Sequence, residues 1–319
     1  MNDLKQPELS VVIPVFNEKD SLLNLHDEIV SALVNIDHEI IYVDDGSTDK
    51  SFSVLTDIRK KTPNVRVIRF RRNFGQTAAL SAGFKYSRGK IIVPLDADGQ
   101  NDPTDIPELI KKLDEGFDIV SGWRKNRQDN PLTRTLPSRI ANWMIGKITG
   151  VKLHDYGCTL KAYRAESLKY IRLYGEMHRF IPALARWGGE RVGEMAVNHR
   201  PRTTGCTKYG INRTFKVILD LITIKFLASF STKPIYVFGG LGFLCFLGSF
   251  LSGLTVLIMK ITANFSMNRN PLLSISVMLM TAAIQFVLMG LLAEILVRTY
   301  HESQDRATYV IETMIEPEN

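Results

Sequence analysis

The sequence predicts an α/β domain built on a mostly parallel sheet, followed by amphipathic interfacial helices and a two-helix transmembrane hairpin. Two observations predict this order. Apolar runs of strand type alternate with helical segments through the first hundred residues, and charged residues become scarce near the end of the chain. Residues 234–297 carry three charges in 64 positions, whereas the other 255 residues carry 70. The mean hydropathy of −0.02 therefore averages two environments, water and lipid.

The first hundred residues predict four buried strands and three helices. The strands are Leu9–Val15, Glu39–Val43, Val65–Phe70 and Lys90–Leu95; the helices run from Glu18 or Asp20 to about Val34, from about Asp49 to Lys61 and from about Gly75 to Ser87. Strands that alternate with such helices form parallel sheets with right-handed crossovers. Ligands of these sheets bind at the carboxyl ends of the strands, so the polar residues that follow the strands form the candidate site.

Two uncharged stretches near the C-terminus are long enough to cross a membrane. Pro234–Met259 has 26 residues and Pro271–Ala293 has 23. At 1.5 Å per residue, each stretch exceeds a hydrocarbon core of roughly 30 Å. We expect spans at about 234–259 and 271–297 within a hairpin of residues 234–298; the alternative is a pair of buried core helices. Small residues in the first stretch are candidates for contacts between subunits of a homo-oligomer: Gly239, Gly240, Gly242, Gly248 and Ser252.

The segment that precedes the first stretch, residues 211–230, has an apolar face and a basic polar face at helical spacing. A basic amphipathic helix next to a span is expected to lie in the membrane interface. Residues 210–233 are therefore predicted to form interfacial helices. The alternative is a helix that packs on the α/β domain.

The distribution of basic residues predicts the side of the membrane on which the α/β domain lies. The loop between the spans carries Lys260 and Arg269, and the opposite flanks carry Lys225, Lys233, Arg298 and Arg306. Lys and Arg are enriched on the cytoplasmic side. No apolar run precedes Leu9, so no secretory signal is visible, and three cysteines suit a reducing compartment. We expect the domain of residues 1–209 and the tail of residues 299–319 to be cytoplasmic.

Several classes of site are excluded by missing motifs. No G-x-G-x-x-G follows a strand and no G-x-x-x-x-G-K-[ST] occurs, which argues against dinucleotide oxidoreductases and P-loop NTPases. The sequence has no H-E-x-x-H, no C-x-x-C and no cluster of His and Cys, which argues against zinc. A net charge of +7 is modest and the hairpin follows the basic blocks, so we expect no nucleic-acid partner.

An acidic pair follows the fourth strand. Asp96 and Asp98 would point the same way if the chain stays extended, and Gln100 continues this spacing. Two carboxylates and an amide oxygen are hard ligands that suit Mg²⁺ or Mn²⁺, ions that share their shell with substrate phosphates. The alternative is an acidic turn without a metal, and the spacing alone does not decide between the two.

A second acidic pair, Asp44-Asp45, follows the second strand. One interpretation is a capping turn in which Ser47 or Thr48 is the N-cap of the next helix. The other is that one aspartate accepts hydrogen bonds from a base or a ribose, and the two interpretations are compatible. Basic residues cluster in three places: Arg69, Arg71 and Arg72; Arg124, Lys125, Arg127 and Arg134; and His199, Arg200, Arg202 and Lys208. Such clusters bind nucleic acid or anionic lipid or form solvated surface, and beside a metal-phosphate site they would clamp a diphosphate and a second phosphate.

Six motifs in a fixed order resemble the family-2, GT-A-fold polyprenyl-phosphate glycosyltransferases, which include bactoprenol glucosyltransferases, dolichol-phosphate mannose synthases and undecaprenyl-phosphate aminoarabinose transferases. The motifs are VVIPVFNE (11–18), VDDGSTD (43–49), RNFGQTAAL (72–80), LDADGQNDP (95–103), DYGCTLKAYR (155–164) and GCTKYG (205–210). The resemblance covers almost the whole chain, including both spans. In the last motif several relatives have Gly-Glu-Ser-Lys-Tyr where this chain has residues 205–209.

The resemblance implies a role for each matching position. It implies catalytic roles for Asp155, Asp98 and Arg124, substrate binding by Pro14, Val15, Asn17, Glu18, Asp44, Asp45, Asn73, Gln76, Asp96, Ala97, Arg202 and Lys208, and metal binding by Asp96, Asp98 and Gln100. Asp155 occupies the place of a catalytic carboxylate. Because a lipid phosphate is already an anion near neutral pH, the reaction needs no strong base, and Asp155 would either remove a proton or position a substrate.

The resemblance thus implies inverting transfer of a hexose from a nucleotide sugar to a polyprenyl phosphate of undecaprenyl type, with Mg²⁺ or Mn²⁺. UDP-glucose is the first expectation. The alternatives are formylated aminoarabinose, whose transferases share the NRQD stretch (126–129), mannose or an N-acetylhexosamine. A non-catalytic nucleotide-sugar-binding scaffold is disfavoured by the intact D-x-D-x-Q set. A processive polysaccharide synthase is disfavoured because the chain lacks a Q-x-x-R-W motif and further spans.

Overall fold

The computed structural model describes residues 6–125, 142, 145–147, 149–169, 171, 173, 177–200, 235–263, 270–303 and 309–316. The chain forms two compact units. One consists of Met1–Ile222 together with Ala307–Asn319, and the other is Thr223–Arg306. The C-terminal residues therefore return to the first unit after the apolar helices.

The described elements alternate between strand and helix through most of the first unit, and two long helices form the second. In chain order they are β1 (Leu9–Val15), α1 (Leu22–Ala32), β2 (His38–Asp44), α2 (Ser51–Lys61), β3 (Val65–Phe70), α3 (Gln76–Tyr86), β4 (Ile91–Pro94), a 3-10 turn (Pro103–Asp105), α4 (Ile106–Asp114), β5 (Ile119–Trp123), β6 (Lys161–Arg164), α5 (Ala165–Leu168), a 3-10 turn (Met177–Phe180), α6 (Ile181–Trp187), β7 (Val192–Ala196), α7 (Ile235–Ala263), α8 (Pro271–Ser303) and β8 (Ile311–Ile315).

The eight strands of the described chain form one sheet in the order β7-β5-β6-β4-β1-β2-β3-β8. Strands β4, β1, β2 and β3 are parallel to their neighbours in this run, and β5 is parallel to β7. Strand β6 lies antiparallel between β4 and β5, and β8 lies antiparallel on β3. The prediction of a mostly parallel sheet is confirmed.

The apolar runs of the sequence become the core of this sheet. Six of the seven residues of β1 are buried, as are all four of β4, because helices cover central parallel strands on both faces. Helix α1 turns Leu22, Leu25 and Ile29 toward them, at the three- and four-residue spacing of an amphipathic helix.

Two helices begin later than the sequence predicts. Helix α1 begins at Leu22 because residues before it form a turn in which the amide and hydroxyl of Ser21 both donate to the Glu18 carbonyl. Helix α2 begins at Ser51, so the interpretation of Ser47 or Thr48 as its N-cap is wrong. The first amide of α2 is bonded instead by Asp49, whose Oδ1 accepts from the Ser51 amide at 2.9 Å.

Strand β8 occupies part of the segment that the sequence presented as a C-terminal tail. Its end is held by two buried arginines: Arg59 donates to the Glu316 carbonyl at 2.7 and 3.0 Å, and Arg66 lies 3.0 Å from the Glu316 carboxylate. Before the strand, the ring of Tyr309 stacks on Phe70 with centroids 4.9 Å apart. Strand β8 therefore covers the edge that β3 would otherwise expose.

The second unit is a hairpin of two long apolar helices. Within α7 and α8, Phe238–Thr262 and Pro271–Ala293 are long and apolar enough to cross a membrane, and only 17% and 11% of their most apolar windows are buried. Core helices of a soluble protein would bury these side chains, and here Phe243 and Met278 are 64% and 71% exposed. The helices form a candidate membrane hairpin, whose first span starts within a few residues of the predicted position.

Polar and small residues join the two helices of the hairpin. The hydroxyls of Ser249 and Ser276 each donate to the other residue's carbonyl, at 2.7 and 2.8 Å. A side chain at Gly242 or Gly248 would press against α8, since a Cβ there would lie 3.1 Å from the Ala283 carbonyl oxygen or 3.2 Å from Leu279. These two glycines, expected between subunits, therefore bring the two helices of one chain together.

Candidate active site

Those predicted site residues that the structure describes lie near the carboxyl edge of the sheet, where β1, β2, β4, β5 and β7 end. Asn17 follows β1 with a φ of +56°, which is rare outside glycine. Its side-chain oxygen accepts from the amides of Thr48 and Asp49, at 2.8 and 3.3 Å, and its own amide donates to the Ser47 hydroxyl. Asn17 thus fixes the loop that follows β2.

Residues near Asn17 join the β1 end to the β4 end. The Glu18 amide donates to the Ser51 hydroxyl, and the Ser21 hydroxyl lies 2.6 Å from the Ala97 carbonyl oxygen. The side chains of Val15 and Ala97 are both in the hydrophobic core. Val15 and Ala97 were both expected to bind substrate, and with their side chains in the core only their backbone atoms face the site.

Asp44 is fully buried at the end of β2. Its Oδ1 accepts from the Ser47 amide at 3.0 Å, and its Oδ2 lies 3.5 Å from Nε of Arg69. Burial raises the pKa of this carboxyl, against the hydrogen bond from Ser47 and the charge of Arg69. Asp44 therefore closes a turn by accepting from the Ser47 amide. This turn does not cap α2, which begins at Ser51.

Asp45 holds the loop that leads into α3. Its two oxygens accept from the amides of Phe74 and Gly75, at 2.7 and 2.9 Å, and burial raises its pKa to about 6. Gly46 has a φ of +68°, and a Cβ there would lie 2.4 Å from the backbone carbon of Arg72. The loop can therefore approach β2 only because residue 46 lacks a side chain. It leaves Asn73 exposed and Gln76 beside β4.

The acidic pair after β4 lies in a turn. Gly99 has a φ of +71°, so the expectation of an extended chain from Asp96 to Gln100 is wrong. The Gln76 amide donates to Asp96 at 2.8 Å, and Asp98 accepts from the Gln100 amide at 3.2 Å. Burial and then the charge of Asp98 raise the pKa of Asp96.

The donor set of this turn fits a divalent cation. Among the described residues no three His, Cys, Asp or Glu side chains converge on one point. Asp96 and Asp98 would supply two carboxylates, and the charge repulsion between them would be relieved by a cation. Mg²⁺ usually takes only one or two protein carboxylates and completes its shell with water and substrate phosphates. The structure places the backbone of Gln100 in the turn, where its carbonyl accepts from the Arg200 amide.

Arg124 and Asp155 form a two-pronged ion pair beside this turn. Nε and Nη2 of Arg124 donate to the two Asp155 oxygens at 2.7 and 3.0 Å, and both side chains are largely buried. The Gly157 amide also donates to Asp155. Burial would lower the pKa of Arg124, but the hydrogen bonds and charge of Asp155 raise it well above its usual value. The negative charge of Asp96 raises the pKa of Arg124 further.

Two further charged residues that sequence reasoning missed support the Asp155 loop. Oε1 of Glu194, in β7, accepts from the amides of His154 and Asp155 at 2.8 and 3.3 Å. Lys161 is 2% exposed and donates to the carbonyls of Tyr156 and Cys158. Burial lowers the pKa of Lys161. Each of these residues is a charged residue within a short strand. A charge that is buried in a sheet is usually paired or hydrogen-bonded, and this was the signal in the sequence.

The basic segment after β7 begins next to the acidic turn. His199 pairs with Asn101 in an isolated bridge, and Arg200 lies 2.7 Å from both Glu28 and Asp102. Arg202, Lys208, Arg127, Arg134, the NRQD stretch and the predicted interfacial helices lie outside the described residues. The described part of this segment therefore ends at residue 200, next to the turn that holds Gln100.

The fold and site define the class of the protein. A mostly parallel sheet with an acidic pair after β4 and a basic group at the same edge is the arrangement of a GT-A glycosyltransferase. Solved structures share this fold: glucosyl-3-phosphoglycerate synthase from Mycobacterium tuberculosis with UDP matches with a TM-score of 0.53 and 21% identity, over 69% of this chain and 80% of that one. The complex with Mn²⁺, UDP and phosphoglyceric acid gives 0.54 and 19%, over 69% and 78%.

Sequence comparison gives the family. The model of "Glycosyl transferase family 2" matches residues 10–172. A dodecaprenyl-phosphate galacturonate synthase of Rhizobium johnstonii is 42% identical, over 98% of this chain and 94% of its own length. An undecaprenyl-phosphate 4-deoxy-4-formamido-L-arabinose transferase of Edwardsiella ictaluri is 35% identical, over 99% and 97%. The chain belongs to glycosyl transferase family 2, and it is an enzyme of the polyprenyl-phosphate sugar transferase group.

These comparisons confirm the resemblance, the fold class and the enzymatic function, and with its two apolar helices the chain is a membrane protein. They correct the expectation of glucose, since these relatives are named for galacturonate and for 4-deoxy-4-formamido-L-arabinose. Transferases of this kind have a catalytic site, so the scaffold alternative falls away.

Proposed function

We propose that the protein transfers a galacturonate residue, with inversion, from UDP-galacturonate to a polyprenyl phosphate. The 42% identity to a dodecaprenyl-phosphate galacturonate synthase over nearly the full length carries the choice of sugar. The second candidate is 4-deoxy-4-formamido-L-arabinose, which the 35% identity to its transferase favours. Both sugars are pyranoses with a changed group far from the anomeric carbon, so one catalytic centre serves either.

A chain of contacts across the carboxyl edge supports this proposal. Asp45 holds the loop before Gln76, Gln76 donates to Asp96, and Arg124 donates to both oxygens of Asp155. Each group is fixed by its neighbour before any substrate binds. Preorganised charges of this kind stabilise the charge that develops on a diphosphate leaving group.

Asp96 and Asp98 would hold Mg²⁺ or Mn²⁺, which would neutralise the donor diphosphate when bound. Arg124 has donors beyond the two that Asp155 accepts, and these would bind a phosphate oxygen. Arg202 and Lys208, which follow Arg200 along the chain, would bind the acceptor phosphate. Asn17 and Asp45 would shape the nucleotide pocket by holding the loops that surround it.

Asp155 acts in this proposal as a positioning residue for Arg124. Its two oxygens already accept three hydrogen bonds, two from Arg124 and one from Gly157. The lipid phosphate is an anionic nucleophile, so no proton has to be removed before it attacks the anomeric carbon. A base at residue 155 is therefore unnecessary.

We further propose that the domain lies on the cytoplasmic side with both termini. The bias of Lys and Arg toward the hairpin flanks supports this orientation. The pairing of β8 with β3 supports a common side for the two ends of the hairpin, because both flanks belong to one unit.

Cysteine labelling of intact spheroplasts tests this orientation: Ser266→Cys between the helices should react with an impermeant maleimide and Ser31→Cys in α1 should not. The reverse pattern would overturn the orientation.

A transfer assay tests the activity. Purified full-length protein with Mn²⁺ and dodecaprenyl or undecaprenyl phosphate is given labelled UDP-galacturonate, UDP-4-deoxy-4-formamido-L-arabinose or UDP-glucose. We expect label in the organic phase from UDP-galacturonate, released by mild acid. Asp98→Asn should abolish it, and Asp57→Asn, an exposed change in α2, should leave it unchanged. No transfer from any donor contradicts the proposal, and transfer from only the second donor selects the second candidate.

A further inference from the structure

His154 is an exposed side chain that its neighbours hold in place. Its ring is 67% exposed, yet Nδ1 lies 2.6 Å from Oε2 of Glu194. The other oxygen of Glu194 accepts from the His154 amide at 2.8 Å. Fixing an exposed side chain costs rotamer entropy. The Glu194 carboxylate offsets this cost, because it holds both the ring and the backbone amide of His154.

An indole completes this support. The ring of Trp123 stacks on His154 with centroids 4.3 Å apart and an interplanar angle of 20°. Trp123 ends β5 and directly precedes Arg124, and His154 directly precedes Asp155. The stacked rings therefore lie one residue away, on both chain segments, from the ion pair of the candidate active site.

The contact with Glu194 decides which ring nitrogen is available. A carboxylate only accepts hydrogen bonds, so Nδ1 must carry the hydrogen that it shares with Glu194. Nε2 then faces away from the carboxylate, and none of the residues that the structure describes bonds to it. When the ring is protonated, Nε2 is a directed donor with a positive charge.

The surroundings favour an anion as the ligand of this donor. Arg124 and Asp155 balance each other's charge, and Glu194 balances that of a protonated His154, while Lys125 adds a positive charge with its Nζ 5.8 Å from the centre of the Trp123 ring. Both substrates of the proposed reaction carry anionic groups that a cationic donor would bind. Charge-assisted hydrogen bonds of this type are about twice as strong as neutral ones.

We propose that His154 contacts the substrate and binds one of its anionic groups through Nε2, with Glu194 and Trp123 as positioning residues. The group is either the carboxylate of the transferred sugar or the phosphate of the lipid acceptor. This inference rests on the proposed function and deepens it, since it names a residue that distinguishes a charged sugar from a neutral one or recognises the acceptor.

Binding measurements on the full-length protein test the inference without turnover. UDP-galacturonate, UDP-galactose, UDP and farnesyl phosphate are titrated into the wild type, His154→Gln and His154→Arg. The matched control is His38→Gln, at the opposite end of the sheet, where Nδ1 bonds the Ile36 carbonyl. Equal melting temperatures and equal UDP binding show that a variant is folded.

If the sugar carboxylate is the ligand, His154→Gln weakens UDP-galacturonate binding roughly 10- to 100-fold and leaves UDP-galactose unchanged. If the acceptor phosphate is the ligand, the same loss falls on farnesyl phosphate alone. His154→Arg, which keeps a cationic donor, restores most of the affinity in either case. Unchanged binding of both anions overturns the inference. The proposed function is tested separately, by sugar transfer with the wild type, so its failure can be told apart from failure of this inference.

Discussion

In the Arg124–Asp155 pair, both oxygens of a buried carboxylate already accept hydrogen bonds before any substrate binds. Asp155 is 4% exposed and each of its oxygens accepts a hydrogen bond from Arg124. Removing one partner of a buried pair leaves the other charge without compensation, so the two residues act as a unit. Their roles are therefore best measured together.

A double-mutant cycle separates the positioning role of Asp155 from a base role. We expect Asp155→Asn and Arg124→Gln each to lower kcat/KM roughly 10- to 100-fold, and the double variant to be little worse than either, because the interaction is lost once. Asp155→Asn should keep the acid side of the pH–rate profile of the wild type. Fully additive losses, together with a lost acid limb, would show that Asp155 removes a proton.

At the scale of elements, the strands with continuous apolar runs were predictable. Leu9–Val15 and Val65–Phe70 are strands with the predicted bounds, because central parallel strands are buried on both faces. Strands β5, β6, β7 and β8 were not predicted from the sequence, and each has only four or five residues. A run of four or five residues carries too little pattern to be distinguished from a loop.

The candidate site was predictable in position and less so in geometry. Residues after β1, β2 and β4 had to meet at one edge once the sheet was parallel, and they do. The turn at Gly99 and the pairing of Arg124 with Asp155, which are 31 residues apart, depend on how loops pack. The side chains of Glu194 and Lys161 bind backbone groups. Contacts with the backbone do not depend on the identity of the partner residue, so no motif in the sequence marks them.

Strand β8 should be needed for the stability of the sheet. Without residues 309–319, the side chains of Arg59 and Arg66, each 5% exposed, lose their contacts with Glu316, and β3 becomes an open edge. We expect a loss of roughly 3–5 kcal/mol, seen as a lower melting temperature and as aggregates in size-exclusion chromatography. A chain that ends at Glu316 is the control. Equal behaviour of the two truncations would contradict a structural role for β8.

At the scale of the whole molecule, buried histidines make stability depend on pH. His26 bonds the hydroxyls of Tyr42 and Thr62 at 3.1 and 2.9 Å, and burial lowers its pKa. Burial also lowers the pKa of His178 well below its usual value. A group whose pKa is lower in the folded state stabilises fully above its unfolded pKa of 6.5, and this contribution is lost as the pH falls.

Thermal unfolding of the full chain in detergent between pH 7.5 and 5.5 measures this dependence. We expect the unfolding free energy of the wild type relative to His26→Gln to fall on acidification, by at most about 1.4 kcal/mol per pH unit. The comparison with the variant is needed because the pKa of Asp45 is raised to about 6, so its protonation stabilises the fold over the same range and opposes the histidines. Thr62→Val, which keeps the imidazole, should follow the pH dependence of the wild type. A relative free energy that rises on acidification would have the wrong sign.

The return of the chain to the sheet after the hairpin has a consequence for biosynthesis. Residues 309–316 follow both apolar helices in the chain, so they are translated after them. Until then β3 has no partner on one side, and Arg59 and Arg66 have no Glu316 to bind. The eight-stranded sheet can therefore be completed only after both apolar helices have been synthesised. A chain that stops before residue 309 holds the apolar helices and lacks the strand that covers β3.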